Sequence, residues 1–131
     1  EIEKKMYPLL TDPYLLIAEI KYMSKNYSEC AAEYARATNF GSQPAAVYVQ
    51  AAKCYRLSGQ LDMAQGFIDI AAERESGYEE IYKEQGALFE SRGDTVSALR
   101  SYCKYAELSP NSKDKLEIKS LIQSLGGECG D

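Results

Sequence analysis

Any chemistry in this 131-residue chain must come from four cysteines, twenty acidic and fifteen basic residues, because histidine is absent. Without histidine the commonest general base, and the usual partner of a nucleophilic serine or cysteine, is missing. Cys30, Cys54, Cys103 and Cys129 form no Cys-x-x-Cys pair, so no zinc site of the Cys/His type can be assembled. Three of the four fall within helical patterns, where a cysteine behaves as a small apolar residue. The expectation is reduced core thiols in a cytosolic protein. No glycine loop of the Walker or dinucleotide kind occurs, and the carboxylates fall at surface-type positions of helices. Catalysis, metals and cofactors are therefore not expected. The sequon Asn26-Tyr27-Ser28 is short enough to arise by chance and carries no weight.

Charge narrows the partners. The net charge is −5 and no basic stripe occurs, which argues against nucleic acid. The longest apolar runs, such as Leu15-Leu16-Ile17-Ala18, are far too short to span a bilayer. From Asp69 to Glu90 seven acidic residues stand against Arg74 and Lys83, either as ordinary helix surface or as a field steering a basic partner. The chain begins at Glu1, which reads as a processed product or an excised domain, with any targeting segment lying outside it. A cytoplasmic location is expected, with a periplasmic or membrane-tethered fragment as the alternatives.

The elements that position these residues announce themselves by period. Small residues spaced 12 and then 7 apart recur every 34 residues: Ala18, Cys30, Ala37; Ala52, Ala64, Ala71; Gly86, Ala98 and, breaking the series, Tyr105. Tyr14, Tyr48 and Tyr82 precede the first small residue of each set by four. Tyr34, Ile68 and Tyr102 follow the second by four. Residues three and four apart share a helical face, so each unit describes two antiparallel helices. Their axes approach over the small residues, and the rings fill the flanking gaps. Reversal signals stand at Lys25-Asn26, Gly59-Gln60 and Gly93-Asp94. Breakers stand between units at 41–44, 76–77 and 109–111.

The spacing predicts helices near 13–25, 28–40, 45–58, 61–74, 78–92 and 95–108, with Asp12 capping the first. A seventh follows near 113–125, where Ile118, Leu121, Ile122 and Leu125 fall at helical spacing before Gly126-Gly127. Such an end helix covers the last open interface of a repeat stack. Residues 1–10 read as an extension and 126–131 as a tail.

With its period and its small/aromatic pattern, the chain resembles the tetratricopeptide repeat family over residues 11–112, in units 11–44, 45–78 and 79–112. The third unit is the nearest copy: Tyr82, Gly86, Phe89, Gly93, Asp94, Ala98, Tyr102, Leu108 and Pro110-Asn111. The chain departs from the pattern where Lys21 stands for an aromatic in the first unit, where Ser42 and Ser76 stand for proline, and where Tyr105 stands for a small residue. The resemblance implies an all-α superhelical solenoid of three antiparallel helix pairs plus a capping helix. It also implies a non-catalytic adaptor or scaffold that binds a peptide or helix of a partner protein in a concave groove.

The groove side of each first helix lies away from its tyrosine stripe. By that reasoning its lining is Leu15, Glu19 and Tyr22, then Val49, Lys53 and Arg56, then Lys83, Ala87 and Glu90. Tyr22, Tyr27 and Tyr78 fall off the internal stripe and are the expected interface tyrosines. Some family members clamp the C-terminal carboxylate of heat-shock chaperones with lysine, asparagine and arginine. The matching positions here hold Leu15, Glu19, Gln50, Glu80 and Glu84, so that clamp is expected to be absent. Two other roles stay open. One is a chaperone or assembly factor of a secretion or pilus-type complex. The other is a structural subunit that self-associates through an apolar edge of Leu15, Leu16, Met23 and Val49.

Overall fold

A computed structural model describes residues 13–129, so Asp12 as a cap and the extension read at 1–10 lie outside it. The described chain is helical throughout. The helices are α1 Pro13–Met23, α2 Tyr27–Asn39, α3 Ala45–Leu57, α4 Leu61–Arg74, α5 Glu80–Ser91, α6 Thr95–Leu108 and α7 Lys115–Ser124. They pack as the antiparallel pairs α1–α2, α3–α4 and α5–α6, with α7 laid against α6. Each boundary lies within two residues of the position that period and turn chemistry indicate.

Local chemistry explains the reversals. Lys25, Gly59 and Gly93 each take left-handed backbone, with φ of 63°, 85° and 79°. They stand 34 residues apart, so the same turn is built three times, twice with glycine and once with a lysine that carries the steric cost of that conformation. After the third turn the Asp94 side chain accepts from the Ser97 amide at 3.1 Å and caps α6.

The small-residue series lies where the helices cross. Ala18, Cys30, Ala37, Ala52, Ala64, Ala71 and Ala98 are all fully buried. At Gly86 the approach leaves no room for a side chain: a Cβ there would come within 2.6 Å of the Tyr102 ring. Tyr105 ends the series without harm. Its ring is buried against Ile118 and Ile122 of α7, and its hydroxyl donates to Asp114 at 2.8 Å. A large residue is accommodated because a single short helix, and not another pair, packs over it.

The cysteines correct the expectation of reduced core thiols. All four are paired: Cys30–Cys54 joins α2 to α3, and Cys103–Cys129 ties the segment after α7 back to α6. No Cys-x-x-Cys motif announced these bridges, because partners 24 and 26 residues apart meet only once α2 and α3 are stacked and the segment after α7 folds back on α6. The first bridge is wholly buried in the core, whereas Cys129 is exposed.

Among the described residues α1 presents an apolar face. Leu16, Ile17, Ile20 and Met23 of α1 are exposed, Met23 at 81%. Of the edge expected from sequence, Leu16 and Met23 are exposed, whereas Leu15 is half-buried against the core and Val49, only 4% exposed, belongs to it.

Candidate functional site

The first helices α3 and α5, with α7 and Tyr102 of α6, enclose a cavity of about 250 Å³. Five of the nine expected groove residues line it: Val49, Lys53, Arg56, Lys83 and Ala87. Tyr22 joins them indirectly, since the Lys53 ammonium lies over its ring at 5.0 Å. Leu15 and Tyr22 pack against the main core, Glu19 is exposed on α1, and Glu90 accepts a hydrogen bond from the Tyr102 hydroxyl at 2.8 Å. Of the expected interface tyrosines, Tyr22 and Tyr27 meet ring to ring at 5.8 Å, while Tyr78 is half-buried against the core.

Two ion pairs form the polar floor. Arg56 Nε donates to one carboxylate oxygen of Glu84, and its Nη2 reaches the other at 3.3 Å. Glu84 is buried, at 7% exposure. Burial pushes its carboxyl above the usual range, and Arg56, then Lys53 and Lys83, pull it back. The second pair joins Lys83 to Asp114 at 2.5 Å, fastening α5 to the start of α7. Burial raises the Asp114 carboxyl, but hydrogen bonds from Lys83 and Tyr105 outweigh it and hold the group at about 2. Burial lowers Lys83, yet Asp114, with Glu80 and Glu117 beyond it, lifts the ammonium above its ordinary value. The Tyr105 hydroxyl is pushed up to about 12 by burial and by Asp114.

Sequence reasoning missed the part of this site that α7 supplies. Asp114, Glu117, Ile118 and Leu121 close one side of the groove, and Glu84 forms its floor. The available signal was register. Side-chain links between successive units join residues 28, 30, 31 and 32 apart, in Arg56–Glu84, Asp62–Arg92, Lys83–Asp114 and Ser42–Arg74. A search for complementary residues slightly less than one period apart would have found them. Two larger hollows, of about 860 and 400 Å³, flank the Cys103–Cys129 bridge, but the ion pair on the wall of the larger, Lys104–Glu107 at 3.6 Å, is exposed and not buried. The groove is the place where buried charge and apolar surface coincide.

Among the described residues no group of histidine, cysteine, aspartate or glutamate is arranged to hold a metal ion. No described helix is long and apolar enough to cross a membrane.

This architecture is a tetratricopeptide-like helical repeat fold. The first such repeat domain of Spaghetti (RPAP3), solved with the HSP90 peptide SRMEEVD, superimposes with a TM-score of 0.72 at 17% identity, over 87% of this chain and 91% of that one. The Yersinia enterocolitica type III secretion chaperone SycD, in complex with a peptide of the translocator YopD, gives 0.75 at 15% identity over 88% of each chain. The Sgt2 repeat domain from Aspergillus fumigatus gives 0.74 at 18% identity, over 92% of this chain and 85% of that one. No family model and no curated protein sequence matches the chain.

Proposed function

We propose that the chain is a non-catalytic binding module that holds a peptide or helical segment of a partner protein in the groove of α1, α3, α5 and α7. The observation that carries this reading is the cavity across α3, α5 and α7, in which apolar Val49, Ala87, Ile118 and Leu121 surround prearranged charges. Structures of the same fold from Spaghetti and SycD hold peptides, which supports the reading. A chaperone-tail clamp is a poor fit, because Glu80 and Glu84 stand where cations would be needed, and Glu84 already binds Arg56. The two disulfides support work in an oxidising compartment, where such bonds persist.

Arg56 and Lys83 are unsuitable probes of binding, because removing either strands a paired carboxylate. Ala87 is the better one, since Ala87→Arg fills the groove and breaks no pair. Partner proteins captured from the native cell by the wild type should be lost by A87R, with its melting temperature unchanged. Equal capture by a folded A87R would move binding to the convex face or the termini.

The exposed Leu16, Ile17, Ile20 and Met23 favour a second reading, self-association through α1. Light scattering that reports a monomer at every concentration would sink it.

A further inference from the structure

Most of the groove's charge is already spent within the molecule. Arg56 is held by Glu84 and Lys83 by Asp114, so neither cation is available to a ligand without breaking a pair. What remains is ordered along the groove. At the α1–α3 end stands Lys53, half-buried, its ammonium over the Tyr22 ring and in no ion pair with the described residues. At the α5–α7 end stand Glu80 and Glu117. Neither is in an ion pair among the described residues, although Glu80 accepts weakly from the Tyr105 hydroxyl at 3.4 Å. Lys83, the ammonium that lines the cavity beside them, bonds to Asp114, so the cavity keeps two carboxylates in no ion pair at this end. Between the two ends no charge is left without a partner: apolar Val49, Ala87, Ile118 and Leu121 flank the closed Arg56–Glu84 and Lys83–Asp114 pairs.

We infer that the groove takes a partner segment whose charges run in a fixed order, an acidic side chain at Lys53 and a basic side chain between Glu80 and Glu117, with an apolar stretch between them. This rests on the groove-binding reading above and adds the partner's chemistry and direction. A half-buried ammonium beside an aromatic ring has lost part of its hydration, so a ligand carboxylate regains more there than on open surface. A segment lying the opposite way sets like charge against like at both ends, which is how charge order fixes register and rejects wrong partners. The acidic run from Asp69 to Glu90 thereby gains a specific role through Glu80, beside Glu84, which is buried against Arg56, and Glu90, which accepts from Tyr102.

A phage-displayed library of random 12-residue peptides tests this, selected in parallel on the wild type, on K53E/E80K/E117K and on A87R. None of the three charge-reversed residues is in an ion pair of the fold, and circular dichroism melting establishes that the variant folds. Should the triple variant fail to fold, Glu117→Lys alone, at an exposed position, reads the same basic preference. Wild type should enrich peptides with an acidic and a basic residue in one order about an apolar core, and the reversed variant should enrich the inverse order. Synthetic wild-type peptides should bind the reversed variant at least ~10-fold more weakly. Equal affinity for both, with A87R still blocking, overturns the charge order and leaves the groove standing. Peptides that bind A87R as well as the wild type overturn the groove itself. No enrichment on the wild type overturns both.

Discussion

Gly86 shows how far one atom matters in this fold. As a helical position it should welcome alanine, which is worth about 1 kcal/mol over glycine in a helix interior. The Tyr102 ring occupies the space a Cβ needs, and both sit in a tightly packed crossing of α5 and α6. Overpacking should outweigh propensity, so Gly86→Ala is expected to destabilise by about 1–3 kcal/mol in chemical denaturation. A gain in stability would mean that the ring has room to move. Asp114 carries a pH dependence at the same scale. Its carboxyl is held at about 2, well below the 3.8 of a free aspartate. The ionised form is thus favoured by folding, and its contribution is complete above pH ~4 and lost as pH falls toward 2. Glu84, raised by burial, acts in the opposite sense, and its contribution fades as pH rises through its own elevated value. Melting temperatures from pH 5 to 2 should fall less steeply in Asp114→Asn than in the wild type. Parallel curves would deny Asp114 that role.

At the scale of elements, helix positions were legible because the 34-residue recurrence of small and aromatic residues is written locally, within one or two turns. Tyr105 and the cysteines were not, for a shared reason. Whether a tyrosine can stand in a small-residue position, or a thiol finds a partner, depends on the helix stacked across it. Cys30 and Cys103 illustrate the difference that stacking makes. The first lies in a sealed bridge between α2 and α3, and the second shares its bridge with an exposed partner. Thiol exchange requires access to a sulfur. Graded dithiothreitol followed by alkylation and mass spectrometry should therefore label Cys103 and Cys129 well before Cys30 and Cys54. The reverse order would contradict the described burial. Replacing Cys30 and Cys54 together by alanine should cost about 3 kcal/mol, as expected for a loop of that length.

For the whole molecule, the sequence pattern named five of the residues that line the cavity of α3 and α5 and none of those that α7 contributes. Val49, Lys53, Arg56, Lys83 and Ala87 were found because they repeat with the helices that carry them. Asp114, Glu117, Ile118 and Leu121 were missed as lining because the last helix was read only as a lid over the stack. The links between units, 28–32 residues apart, make each repeat lean on the next. The disulfides have a mechanical corollary. Each bridges a stretch of 24 or 26 residues between cysteines 6.0 and 5.4 Å apart. Under tension that chain stays hidden from the applied load. In optical-tweezer stretching the fully unravelled oxidised molecule should be shorter than the reduced one by roughly 16 nm. The bonds therefore act as force shields around the junction of the first two helix pairs and around the closing helix.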